Sequence, residues 1–133
     1  MIQAIKIALT GMNAATKRAN TSASNIANMA TTSTPESGTG KVNDGFFAQR
    51  TINEPSKDGG VVAKSAPQNP SHTLLFDPSS PQANAEGQVA YPNVSLAEDI
   101  VQLKLAKHAY EANVNVMKTA FEMEKTLLDK TKA

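Results

Sequence analysis

Two long stretches of the chain place apolar residues in alternating steps of four and three. In the last third these are Leu96, Ile100, Leu103, Lys107, Tyr110, Val114, Met117, Phe121, Glu124 and Leu128. Eight of the ten are apolar, which makes the run a coiled-coil seam on one continuous helix. Pro92 closes a preceding strand, and Ser95-Leu96-Ala97-Glu98 fits a capping box at the helix start. The same helix carries a second apolar row: Val101, Leu105, Ala109, Ala112, Val116, Ala120, Met123 and Leu127. One stripe suffices against one neighbour, so this helix has apolar surface for two. At ~1.5 Å per residue, about 35 residues span ~52 Å, longer than the core of a small domain. Lys107 and Glu124 interrupt the seam; they read as surface positions with long stems lying along the helix, or as charges that pair with neighbouring subunits and set register.

The N-terminal stretch repeats the pattern with Ile2, Ile5, Leu9, Met12, Thr16, Ala19, Ala23, Ile26 and Ala30. Its composition is weakly helical. Gly11 costs about 1 kcal/mol against alanine, so on propensity alone Gly11→Ala strengthens this helix. Asn13, Thr16, Asn20, Thr21, Ser22, Ser24, Asn25 and Asn28 compete for backbone hydrogen bonds. Residues 1–35 hold Lys6, Lys17 and Arg18 but no acid, so no internal ion pair supports the helix. The expectation is an arm that frays alone and becomes helical against partners.

All seven prolines and six of the seven glycines fall between Pro35 and Pro92 or at those limits, which separates a middle segment from the two arms. Thr31 to Gly40 reads as a hinge. Phe46 to Ile52, Gly60 to Ser65, Thr73 to Phe76 and Gly87 to Tyr91 read as short strands, with turns at Asp44-Gly45 and Asp58-Gly59-Gly60. None has the apolar content for an independent core. The chain therefore divides into an N-terminal helical arm (1–30), a hinge and small β-rich insert (31–93) and a C-terminal long helix (94–133). The expected fold is mainly α: two terminal helices pairing as an antiparallel coiled coil, with a small β-rich or irregular insert between them.

Composition removes several function classes. The net charge of +1 argues neither for nucleic acid nor for an anionic membrane as partner, and no nucleic-acid partner is expected. The absence of cysteine excludes a disulfide framework and thiol chemistry. There is no transmembrane run, so no membrane insertion, and Lys6 interrupts the only apolar stretch of secretory type. His72 and His108 have no carboxylate at metalloprotease spacing, and no glycine-rich phosphate loop or nucleophile elbow is present. No cofactor, metal or catalytic residue is expected, and the chain does not read as an enzyme.

Specific motifs then add to this reading. Asn13-Ala14-Ala15, Arg18 and Ala23-Ser24-Asn25-Ile26-Ala27-Asn28 lie in the first arm. Gly59-Gly60-Val61, Phe76-Asp77-Pro78-Ser79-Ser80-Pro81 and Ala83-Asn84-Ala85-Glu86-Gly87 lie in the insert. Tyr91-Pro92-Asn93-Val94 and Ala109-Tyr110-Glu111-Ala112-Asn113-Val114 mark the entry and middle of the last helix. Together they resemble the bacterial flagellar basal-body rod proteins, and within them the proximal-rod type. Met29-Ala30-Thr31, where the family usually has Asn-Thr, departs from the pattern. The resemblance implies a structural subunit exported by the flagellar type III apparatus. It would polymerise with copies of itself and other rod proteins into a helical, torque-transmitting tube in the periplasmic rod of the basal body.

On the residues alone, the second row has no partner within the chain. An exposed apolar stripe of that length is a liability in a monomer and marks an assembly contact. The expected assembly residues are Ile5, Leu9, Met12 and Ile26 in the first arm. In the last helix they are Ile100, Leu103, Tyr110, Val114, Met117 and Phe121 on the seam, and Val101, Leu105, Val116, Met123 and Leu127 on the second row. The alternatives are a two-helix core of an ordinary small domain and a soluble helical binding or secretion-substrate protein that does not polymerise.

Overall fold

The computed structural model describes residues 2–131. The chain forms α1 (Ile2–Asn28), β1 (Gln49–Pro55), β2 (Val61–Pro67), β3 (His72–Phe76), β4 (Gln88–Pro92) and α2 (Leu96–Thr131). The strands pair as two separate antiparallel ribbons, β1 with β2 and β3 with β4. In register, Gln49 faces Pro67 and Pro55 faces Val61 in the first ribbon, and His72 faces Pro92 and Phe76 faces Gln88 in the second. Three prolines sit at strand ends, where a missing N–H removes no interior rung. The first ribbon turns through Gly59 and Gly60, both with φ of +84°, and a Cβ on Gly60 would collide with the Thr10 hydroxyl.

The middle segment is held by backbone bonds more than by bulk. Ser33 and Ala90 exchange N–H···O bonds of 3.0 and 2.9 Å, extending the second ribbon by one bridge. Ala48 links the ribbons: its N–H donates to the Ser71 carbonyl, and its carbonyl accepts from Gln68. Around this point Ala48, Val89, Ala90 and Pro35 are fully buried.

α1 rests on the first ribbon through hydroxyls. Thr10 Oγ1 accepts the Val61 N–H at 3.1 Å, and Thr21 Oγ1 and Ser65 Oγ share a hydrogen bond of 3.0 Å. The Thr and Ser residues that weaken α1 by propensity are thus partly its tertiary contacts. They also bond back along the helix, Thr10 to the Ile7 carbonyl and Thr21 to that of Lys17.

The expected coiled coil of two seams is not what forms. α1 and α2 lie side by side in opposite directions, Gly11 beside Asn113 and Asn25 beside Asp99, and two antiparallel ribbons add regular β structure. The residues buried between the helices are small or polar: Ala8, Ala15 and Ser22 on α1, and Asp99, Ala106 and Ala120 on α2. The large seam residues are displaced from the contact, with Leu9, Ile100, Tyr110 and Phe121 between 41 and 51% exposed. Short side chains allow a closer axial approach, and the bulky positions are turned to the flank.

Gly11 illustrates the closeness. A Cβ there would sit 2.5 Å from Asn113 Oδ1 and 2.7 Å from Asn113 Cγ. The propensity gain expected for Gly11→Ala is therefore overridden. The variant will be destabilised by about 1–3 kcal/mol, as overpacking costs in a tight contact, and its urea midpoint will fall. The paired variant Gly11→Ala with Asn113→Ala, which vacates the space, will recover most of the loss.

Candidate assembly surfaces

Asn25 holds the junction of three elements. Its Nδ2 donates to the Gln49 carbonyl at 2.8 Å, and its Oδ1 accepts the Gln49 N–H at 3.0 Å, so the amide acts as one rung of ladder at the start of β1. The same Nδ2 lies 3.3 Å from both carboxylate oxygens of Asp99 in the first turn of α2. Asn25 is 3% exposed and Asp99 8%, so the amide is the polar group that meets a buried carboxylate. The Asp99 backbone N–H donates to the Ser95 carbonyl at 2.9 Å, and the Ser95 hydroxyl reaches the Glu98 N–H at 3.4 Å, one arm of the expected capping box. Beside this junction is a polar cavity of about 150 Å³ whose lining includes Arg18, Arg50, Thr51, Glu98 and Asp99.

Other motif residues shape the chain path. Asn28 Nδ2 donates to the Ser24 carbonyl, and its Oδ1 accepts from Thr31, which closes the end of α1. Tyr91 faces Thr73 in the second ribbon, and Pro92 is buried at its end. Asn93 then donates from its backbone to Ser71 and from Nδ2 to the Pro70 carbonyl, fixing the approach to α2. Asn113 donates to the Ala109 carbonyl and faces Gly11, whereas Ala112 is exposed. Tyr110, on the expected seam, is 42% exposed.

The apolar positions form two surfaces. Relative to buried Ala106, about 100° of rotation per residue puts Ile100, Leu103, Tyr110, Val114 and Phe121 on one side of α2. It puts Val101, Leu105, Val116, Met123 and Leu127 on the other. The α1 seam faces the same way as the α2 seam. A groove between the helices is lined by Thr16 and Ala19 of the first and by Leu103, Lys107, Tyr110 and Glu111 of the second, over Ala15 and Ala106. Ile5, Met12, Ile26, Leu103, Val114 and Met117, all seam positions, are partly buried. On the opposite side Val101, Leu105, Val116, Met123 and Leu127 are 48 to 55% exposed. Ala109 and Ala120 leave that row, Ala120 being buried towards α1. A further exposed patch, Leu74, Leu75 and Phe76, lies on β3.

Lys107 and Glu111 are 3.8 Å apart and well exposed, a pair worth only tenths of a kcal/mol. His72 begins β3; its Nε2 is 3.2 Å from the Gly40 carbonyl, and its ring meets Phe47 edge-on. Among the described residues there is no cluster of three metal-ligating side chains, and no helix is long and apolar enough to cross a membrane.

Comparison with known proteins accords with this surface-dominated picture. A family model for the flagellar basal body rod FlgEFG protein C-terminal region matches residues 85–130. The chain is 29% identical over 131 residues to the flagellar basal-body rod protein FlgC of Aquifex aeolicus, covering 98% of this chain and 94% of that protein. It is 31% identical over 132 residues to FlgC of Yersinia enterocolitica, covering 98% and 95%. To FlgC of Borreliella burgdorferi it is 30% identical over 145 residues, covering 96% and 95%.

Proposed function

The chain belongs to the FlgC family of flagellar basal-body rod proteins, and from that premise we propose that it is exported by the flagellar type III apparatus and polymerises into the helical tube of the rod. As a member it is a structural subunit of the basal-body rod, not an enzyme, and it assembles there with other rod proteins. The observation that supports polymerisation is the pair of apolar surfaces on opposite sides of α2, neither of which its own chain covers. Two such faces on one subunit make heterologous contacts, and heterologous contacts that do not close generate a helical stack. The rod transmits torque through those contacts, and the subunit reaches the periplasmic rod after export from the cytoplasm.

The test is direct. An epitope placed in the exposed turn at Ser79–Ser80 will be recovered in rods of purified basal bodies, and deleting the chain will stop rod growth. Basal bodies complete in its absence would overturn the reading.

A further inference from the structure

The two ribbons are held to the molecule differently. In the second, Val89, Ala90 and Pro92 are buried, and Ser33 adds a rung to the β4 edge. In the first, no residue of either strand is buried. The register gives the reason. Thr51 pairs with Ser65 and Asn53 with Ala63, and this is the face that meets α1, through the Ser65 hydroxyl on Thr21. Ile52 pairs with Lys64 and Glu54 with Val62 on the other face. The ribbon therefore turns Ile52 and Val62 outwards, 37 and 45% exposed, and docks by its small and polar side. On the docked side the Thr51 hydroxyl is buried with no hydrogen-bond partner among the described residues. Water would satisfy that group if the ribbon lifted.

We propose that the first ribbon is a strap that lifts off α1 as a unit, pivoting at Ala48 and Gln68, while the paired helices and the second ribbon stay folded. The pivot is fixed. Asn25 holds both backbone groups of Gln49, and fully buried Ala48 bonds to Ser71 and Gln68. Beyond it the strap is tied to α1 by the Val61 N–H on Thr10 and the Ser65 hydroxyl on Thr21. An element with few apolar contacts opens well below the free energy of global unfolding. A free two-stranded ribbon is barely stable, so its ladder loosens once it lifts. Opening uncovers the side of α1 that carries Thr10 and Thr21, where Thr21 is 6% exposed in the docked form. The subunit thereby has one element that can reseat without parting its helices.

Amide hydrogen exchange of the whole chain, read by NMR at rising urea below the unfolding transition, tests this. The Val61 amide and the hydrogen-bonded ladder amides of β1 and β2 will exchange at least about tenfold faster than buried α2 amides. Their rates will barely depend on urea, because lifting exposes little surface. Ala48, Gln49 and Gln68, at the pivot, will exchange with α2. One common rate and one common urea slope for strap and α2 would mean that the ribbon opens only when the whole chain unfolds, and the proposal falls. A second measurement separates lifting from fraying in place. The chain has no cysteine, and the Thr21 and Ser65 hydroxyls lie 3.0 Å apart. The double variant Thr21→Cys with Ser65→Cys is oxidised to pin the strap and compared with its own reduced form. Oxidation will abolish the fast exchange of the strap. Fast exchange that persists in the oxidised form would show a ladder that frays without lifting, which also overturns the proposal.

Discussion

Asn25→Ala will lower the unfolding free energy by about 3–5 kcal/mol, the cost of stripping partners from a buried charge and from backbone groups. The reason is the position of the amide. Its removal leaves the Gln49 N–H and carbonyl without their rung and the Asp99 carboxylate without its buried donor. Asp99→Asn separates the two contributions. It keeps an acceptor and removes the buried charge, so its cost will be smaller, about 1 kcal/mol, the size of one net hydrogen bond. Urea unfolding followed by circular dichroism reads both. If Asn25→Ala costs no more than Asp99→Asn, the junction is not a three-way tie. Asn25→Asp will not rescue the alanine variant, because it sets a second carboxylate against the first.

Val116→Asp will leave the free subunit intact and remove it from the rod. Val116 is 50% exposed, so an aspartate there stays hydrated and will change stability by no more than about 0.5 kcal/mol, as at an ordinary surface site. In an assembled contact the same carboxylate is buried in apolar surroundings without a partner, which costs several kcal/mol per subunit. A repeated contact suffers that loss at every step, so incorporation will fall below detection and cells will be non-motile. Ala106→Asp, at a position 1% exposed between the helices, is the contrasting control: it will unfold the subunit itself. Normal rods built from Val116→Asp would show that this side of α2 meets nothing in the rod.

Much of the element order was legible from pattern and punctuation. Both helices lie where apolar periodicity and the proline boundaries put them, and four strands fall close to the expected segments. β1 starts three residues later than Phe46, at the point where Asn25 engages Gln49. The pairing of the helices was not legible from large apolar residues. Those mark surfaces that leave water, and they do not say whether the cover comes from the same chain or another. A second, quieter period was present: Ala4, Gly11, Arg18 and Asn25, with Ala8, Ala15 and Ser22, against Asp99, Ala106, Asn113 and Ala120. These repeat every seventh residue and carry the intramolecular contact. Seam arithmetic that scores hydrophobicity passes over them because most are small or polar.

The Asn-rich motif shows the same limit. Local bonding fits Asn28, which ties the last turn of α1 to Thr31. Asn25 reaches instead to residues 24 and 74 positions away in sequence. No local spacing reports such a contact, and nothing in the sequence singled out Asp99 as its counterpart. The Thr21 hydroxyl counts against the helix by propensity, and only the docked ribbon gives it and the Thr10 hydroxyl a use.

The placement of Gly11 beside Asn113 also has a kinetic consequence. The two ends of the polypeptide must find each other across almost its entire length, and such long-range closure is slow and late. On the proposed export route, a chain delivered end-first cannot close its helical stem until its final residues have emerged. Delay of this kind would keep an exported chain threadable in transit and reserve its completed shape for the place of delivery.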